Sequence, residues 1–318
     1  MNLGFDLIPL GRSEVRVSPL GIGTWEWGDR FFWGYGQDYH EADVQDAFRA
    51  SVQAGINFFD TAEIYGPHTS ERLLGRFIHS MGAEANVVVA SKFVPLPWRL
   101  RRADLLRALR GSLKRLGLKQ IDLYQIHFPL GLVSVEARMA ALADAVEAGL
   151  TRAVGVSNYN LDQMRRAESA LAQRGIALAS NQVEYSLLER KPERSGLLAE
   201  CRKLGVTLIA YSPLAKGLLS AKYTPQNPVP GLRGRRYPVE YLALIQPLIG
   251  LLREIGQAHS GKTPAQVALN WTICQGTLPI PGVKNLKQAQ ENAGAIGWRL
   301  SDDEVRALNQ ASDPVALV

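Results

Sequence analysis

Eight short apolar, β-rich runs recur along the 318-residue chain, and segments of helical period lie between them. The runs are LGIGT around Gly21, INFFD ending at Asp60, VVVAS ending at Ser91 and IDLYQIH ending at His127. Four more follow: AVGVS ending at Ser157, ALASNQ ending at Gln182, TLIAYS ending at Ser212 and TLPIPG ending at Gly282. Strands that alternate with helices read as a parallel sheet with crossover helices. Eight of them in this length point to a closed (β/α)8 TIM barrel, an α/β fold. An open doubly wound sheet would carry fewer strands and a glycine-rich phosphate turn after the first. The glycines of GIGTWEWG lead instead into Trp and Phe with no helical pattern, so they form no dinucleotide fingerprint.

Between the strands, apolar residues return at intervals of three and four, as in Leu105, Leu109, Leu113 and Leu116, and again in Val135, Met139, Leu142 and Val146. Two short β-like runs flank GRSE within residues 6–18 and predict an N-terminal β-hairpin that closes the barrel floor. Residues 214–238 are rich in Gly, Pro and basic residues with little apolar period, and are expected to form a long loop of functional use. Ser301 followed by DDEV predicts an N-capped C-terminal helix. No linker, repeat or low-complexity tract divides the chain, so residues 1–318 are expected to form one barrel domain.

The apolar fraction of 46% suffices for a full core. Lys and Arg outnumber Asp and Glu by 36 to 30, a net charge of +6 that favours an anionic ligand. The basic residues are scattered. Their densest group, Arg99, Arg101 and Arg102, falls where a helix begins and reads as a solvated helix start rather than a nucleic-acid footprint. Cys201 and Cys274 each sit in an amphipathic pattern, which implies no disulfide scaffold. MNLGFDLIPLG lacks the basic start and long apolar run of a signal peptide, and no stretch approaches the roughly 18 apolar residues of a membrane span. A cytoplasmic protein is expected, a monomer or small homo-oligomer that binds neither nucleic acid nor membrane.

In a (β/α)8 barrel the active site lies at the C-terminal ends of the strands. Asp60 ends INFFD with Tyr65 one short loop beyond, Lys92 follows VVVAS, His127 ends IDLYQIH, Ser157 and Asn158 follow AVGV, and Gln182 ends ALASNQ. Taken singly, these residues have plainer uses. Asp60 reads as a turn or cap, Lys92 as a snorkelling lysine, His127 as a core histidine, Ser157 and Asn158 as helix caps, Tyr65 and Tyr211 as packing residues. Jointly, at successive strand ends, they make a proton-delivery group. An unperturbed Tyr titrates near pH ~10 and an unperturbed Lys near ~10.4. Lys92 beside Tyr65 is expected to lower the phenol's pKa and make it a better general acid, with Asp60 keeping Lys92 in place and charged. His127 is expected to hydrogen-bond and orient the substrate oxygen.

The motifs FFDTAEIYG, SKF, QIHFP, GVSNY, NQVEYS, AYSPLAKGLL and IPGVKNLKQAQEN resemble the aldo-keto reductase superfamily over almost the whole chain, and most closely its branch of potassium-channel beta subunits and bacterial and plastid reductases. That resemblance implies NADPH-dependent reduction of aldehydes and ketones, pyridoxal-like compounds among them, with Asp60, Tyr65, Lys92 and His127 as the catalytic tetrad. It implies that Ser157, Asn158 and Gln182 hold the nicotinamide carboxamide and that Tyr211 stacks on the nicotinamide ring. Ser212, Leu214, Gly217 and Leu218 match the pyrophosphate segment, and Gly23, Thr24 and Trp25 the first-strand loop. Glu291 and Asn292 match positions near adenine. Many relatives carry a Lys-Ser pair and an Arg after the eighth strand, where this chain has Gly282, Val283 and Gln288. The resemblance therefore makes Lys222 and Arg233, with Lys284 beside them, the candidates for the 2′-phosphate, and their charge favours NADPH over NADH.

Of the aromatic residues after strands one, three and four, Trp25, Trp27, Phe93, Trp98 and Phe128 are expected to line a substrate pocket suited to an aromatic or bulky apolar carbonyl compound. No metal is expected, because the histidines lack ligand spacing, and GVSNY lacks the second glycine of a nucleophile elbow. Two other functions fit part of the pattern. One is a nucleotide-binding redox sensor that docks on a partner with little turnover. The other is a Schiff-base aldolase with Lys92 as nucleophile, which the cofactor motifs oppose.

Overall fold

A computed structural model describes residues 5–82 and 86–316, apart from the side chains of Leu232 and Arg233. The hairpin appears where GRSE predicts it, as β1 (Ile8–Pro9) paired antiparallel with β2 (Arg16–Val17). Eight parallel strands follow: β3 (Ile22–Gly23), β4 (Phe58–Asp60), β5 (Val88–Phe93), β6 (Ile121–Ile126), β7 (Thr151–Ser157), β8 (Leu178–Glu184), β9 (Thr207–Tyr211) and β10 (Leu278–Ile280). They pair in sequence order from β3 to β10. The ring closes where the Gly21 and Gly23 amides donate to the Pro279 and Pro281 carbonyls at 2.9 and 3.0 Å. The fold is the expected (β/α)8 barrel.

The outer helices are α1 (Glu41–Gln53), α2 (Thr69–Met81), α3 (Arg102–Leu116), α4 (Val135–Glu147), α5 (Leu161–Ala172), α6 (Lys191–Arg194) and α7 (Leu197–Leu204). After β9 come α8 (Val239–Leu244), α9 (Gln246–Ala258) and α10 (Pro264–Cys274), and after β10 come α11 (Leu286–Ala293) and α12 (Asp302–Ser312). The leucine stripe of α3 is buried as its spacing requires, and Gly117 ends the helix in the left-handed region. Helix α12 starts as its sequence dictates, with Ser301 Oγ accepting from the Glu304 amide. Residues 214–238 are less irregular than their composition implies. Two 3-10 segments, Ala215–Ser220 and Gly231–Arg236, organise them around the buried side chains of Leu218 and Leu219.

Two apolar cores follow from the two-residue alternation of the strands. Outward residues such as Phe59, Val89, Tyr124 and Val154 pack under the helices. Inward residues Phe58, Val88, Ala90, Leu123, Ile209 and Ile280 fill the barrel, where Leu10, Val15 and Val17 of the hairpin plug the floor. Among the described residues, no helix is long and apolar enough to cross a membrane.

Candidate active site

On several strands the inward face turns from apolar to polar as it climbs toward the C-terminal mouth. In β4 the face runs Phe58, Asp60; in β5 Val88, Ala90, Lys92; in β6 Leu123, Gln125 and then His127; in β9 Ile209, Tyr211. The alternation that fills the barrel floor therefore delivers a carboxylate, an ammonium, an amide and an imidazole to one layer above it. Lys92 lies inside β5 rather than after it. His127 sits one residue beyond β6, with its amide donating to the Phe93 carbonyl at 2.9 Å.

The layer is bonded through Lys92, which is fully buried. Its ammonium donates to Asp60 Oδ1, to the Thr61 carbonyl at 2.9 Å and to the Tyr65 hydroxyl at 3.2 Å. The second oxygen of Asp60 accepts from Gln182 Nε2 at 2.8 Å and Gln125 Nε2 at 3.1 Å. Gln125 was not singled out from the sequence, although it stands two residues before His127 on the same strand face. The Tyr65 and His127 rings meet edge to face with centroids 5.7 Å apart, and Phe128 stacks on His127 at 4.2 Å.

Burial pulls the Lys92 pKa down, but Asp60 and Tyr65 outweigh it and the net direction is upward, so Lys92 stays an ammonium. A Schiff-base lysine needs the opposite shift. Tyr65 corrects an expectation. Its pKa is raised because burial outweighs the downward pull of Lys92, with the Asp60 charge adding to the rise. At neutral pH the group is a protonated phenol. His127 is pushed down to about 2, first by burial and then by Lys92, and is a neutral imidazole whose Nδ1 lacks a hydrogen-bond partner. With the folded value below the unfolded one near 6.5, the unfolded chain binds the extra proton, so His127 costs stability as pH falls below about 6.5. Denaturant titrations from pH 7 to 4.5 are expected to lose less stability in His127→Gln than in the parent.

Above this layer opens a cavity of about 680 Å³. Its wall includes Gly23, Thr24, Trp25, Asp60, Tyr65, His127, Phe128, Ser157, Asn158, Gln182 and Tyr211. It continues past Ser212, Leu214, Gly217 and Lys222 to Gly282, Lys284, Gln288, Glu291 and Asn292. Asn158 adopts a left-handed φ of 61° and ties three strand ends together. Its Nδ2 donates to the His127 carbonyl and Ser157 Oγ, and its Oδ1 accepts from the Tyr211 hydroxyl at 3.0 Å. Lys284 donates to the Trp33 carbonyl at 2.8 Å and lies over the Trp33 and Tyr39 rings.

Several expected site residues do not reach the cavity. Leu218 is a core residue. Trp27 is fully buried against Phe48, Phe59 and Phe77, with its indole nitrogen donating to the Val283 carbonyl. Phe93 points outward from β5 and carries the Arg99 guanidinium over its ring. Trp98 is 73% exposed on the loop after β5. Trp25 and Phe128 are the two expected substrate aromatics on the wall. The side chain of Arg233 lies outside the described residues. Glu26, Ile64 and Lys216, to which the sequence alone assigns no role, also line the cavity, and Lys216 pairs with Glu184 at 3.0 Å.

The sequence model of the Aldo/keto reductase family matches residues 19–313. The chain belongs to that family. This aldo-keto reductase is 41% identical over 311 residues to the chloroplastic pyridoxal reductase of Arabidopsis thaliana, covering 94% of this chain and 84% of the relative. Its fold superposes on the glycerol dehydrogenase AKR11B4 of Gluconobacter oxydans with a TM-score of 0.83 at 25% identity, over 98% of this chain and 95% of the other. It superposes on an aldo-keto reductase of Klebsiella pneumoniae solved with NADPH with a TM-score of 0.73 at 27% identity, over 96% and 95%. As an aldo-keto reductase the protein is an oxidoreductase, and the polar layer at its strand ends is the candidate active site.

Proposed function

We propose that the protein reduces aldehydes and ketones to alcohols with NADPH, with Tyr65 as general acid. The observation that carries this reading is the chain of contacts from Asp60 through Lys92 to the Tyr65 hydroxyl on the wall of the cavity. Bound in that cavity, NADPH supplies the hydride for the carbonyl carbon. Tyr65, protonated at neutral pH, gives its phenol proton to the carbonyl oxygen, and the Lys92 ammonium stabilises the phenolate left behind. His127, neutral, is available to hydrogen-bond and orient the same oxygen. Asp60 holds Lys92 charged and in place, and Gln125 and Gln182 hold Asp60.

The residues present fit a dinucleotide. The buried Asn292 Nδ2 on the cavity wall lacks a hydrogen-bond partner, and positive φ angles at Ser212, Ala215, Lys216 and Gly217 turn the backbone of one rim into a concave turn. In this reading Ser157, Asn158 and Gln182 serve the carboxamide and Tyr211 the nicotinamide face. Gly23, Thr24 and Trp25 flank the nicotinamide end, and Ser212, Leu214 and Gly217 serve the pyrophosphate. Gly282, Gln288, Glu291 and Asn292 hold the adenosine end, and Lys222 and Arg233, with Lys284 beside them, the 2′-phosphate. Lys222→Ala and Arg233→Ala are each expected to weaken NADPH binding by about tenfold and NADH binding far less, the scale of one charge-assisted contact. Equal weakening of both removes them from the phosphate site.

Trp25, Ile64 and Phe128 beside Tyr65 and His127 favour an aromatic or bulky apolar carbonyl substrate, and the name of the Arabidopsis relative puts pyridoxal-like aldehydes first in a panel. The cytosol is the proposed compartment, in keeping with Cys201 and Cys274 as free thiols. A second reading, a nucleotide-bound sensor docking on a partner, draws on the exposed Phe31, Trp98 and Leu132. Fluorescence titration of both nucleotides, followed by NADPH consumption with an aldehyde panel, separates the two. Tight binding with aldehyde-dependent consumption supports the reductase, whereas tight binding with none supports the sensor.

A further inference from the structure

An acid stands in the cavity where the net charge of the chain and the nature of the cofactor predict bases. Glu26 follows Trp25 on the loop after β3, and its carboxylate crosses to the end of β10. There it lies over the Cα of Gly282, in the space a side chain at 282 would fill. Both residues are on the cavity wall. A Cβ at 282 would overlap the carboxylate as it lies here, so a side chain at this position would displace the end of Glu26.

The surroundings of Glu26 come from four segments. Asp29, on its own loop, repels it, and Lys284, beyond β10, attracts it. Tyr39, ahead of α1, donates to the Glu26 carbonyl at 2.6 Å. Tyr65, on the loop after β4, feels its charge. Lys216, Lys222 and Glu291 line other parts of the same cavity. Burial dominates this set and lifts the Glu26 pKa to about 7 in the free protein.

We infer that Glu26 takes up a proton when an anionic dinucleotide enters the cavity, so that cofactor binding and release are proton-linked through this one carboxyl. The inference rests on the NADPH reading of the cavity. Its physical basis is that a polyanion brought into the same cavity as a half-buried carboxylate disfavours the charged form of that carboxylate. The proton comes from solvent and returns to it on release. A protonated Glu26 also presents a hydroxyl donor to the cavity where the ionised group presents only acceptors.

Titration calorimetry of the full chain with NADPH, run at pH 6 and pH 8 in two buffers of different ionisation enthalpy, counts the protons directly. The expected result at pH 8 is uptake of about one proton per site, with a Kd about tenfold weaker than at pH 6. In Glu26→Gln the uptake disappears and the affinity changes less with pH. The 2′-phosphate of NADPH titrates in both proteins alike, so the difference between them isolates Glu26. Equal proton uptake in parent and variant overturns the inference and leaves the NADPH reading intact, whereas failure of the parent to bind NADPH at either pH overturns both. Should the variant not fold, the parent alone decides: no uptake at pH 8 rejects the proposal, and uptake with a midpoint near pH 7 supports it.

Discussion

Tyr65→Phe is expected to lower kcat for aldehyde reduction by about 10²–10⁴-fold, the usual worth of a positioned general acid, while the Kd for NADPH stays close to that of the parent. The substitution removes one oxygen. The ring keeps its place beside Trp25, at 6.4 Å between centroids, and edge-on to His127. What disappears is the only atom of Tyr65 that Lys92 touches by hydrogen bond, and with it the proton donor. Lys92 retains Asp60 and the Thr61 carbonyl, so the rest of the layer stands. Steady-state kinetics and nucleotide titration on the same preparation check both halves. A loss of NADPH affinity parallel to the loss of kcat would make Tyr65 a cofactor contact rather than an acid.

Lys92→Met is expected to destabilise the fold by about 3–5 kcal/mol as well as to abolish turnover, because it leaves the buried Asp60 carboxylate without its cation. Two amides remain on that carboxylate, from Gln125 and Gln182, and neither neutralises it. Pairing the change with Asp60→Asn removes the stranded charge, so the double variant is expected to recover much of the lost stability and none of the activity. Urea unfolding of the two single variants and the double variant gives the coupling directly. A Lys92→Met protein as stable as the parent would show that Asp60 already sheds its charge or its burial by another route.

The two effects separate what the site does from what the fold tolerates. The barrel was legible in the sequence because strand faces and helix stripes carry opposite periods. Leu105, Leu109, Leu113 and Leu116 mark a helix face, and FFD, VVVASKF and IDLYQIH mark strands with a polar upper end. The clustering of Asp60, Tyr65, Lys92 and His127 was legible for the same reason, since they close such strands or lie one loop beyond. Gln125 was not, because a glutamine inside an apolar run reads as an interruption until its inward register is known. The aromatic residues failed differently. Trp27 sits next to the wall residues Trp25 and Glu26, and Phe93 next to Lys92 of the polar layer; a one-residue change of phase sends a side chain to the opposite face. Composition alone cannot fix that phase. The sign of the Tyr65 shift was missed because the sequence supplies the lysine but not the burial, and burial is the larger effect.

Glu26 and the segment 214–238 carry a related lesson. Gly, Pro and basic residues read as open loop, yet Leu218 and Leu219 anchor a short 3-10 segment there. Glu26 stands between two tryptophans in the sequence, and only the closing of the barrel brings Gly282 against it. Contacts between the first and last strands are the longest in sequence and leave the weakest local trace.

The most direct measurement of the central claim is a single turnover with NADPH deuterated at the nicotinamide C4 hydride position and a pyridoxal-like or aromatic aldehyde, with the alcohol examined by mass spectrometry. One deuterium on the carbinol carbon, with product lost in Tyr65→Phe, is the result this account predicts. Tight NADPH binding with no deuterated alcohol from any aldehyde offered, or full turnover without the Tyr65 hydroxyl, would contradict it.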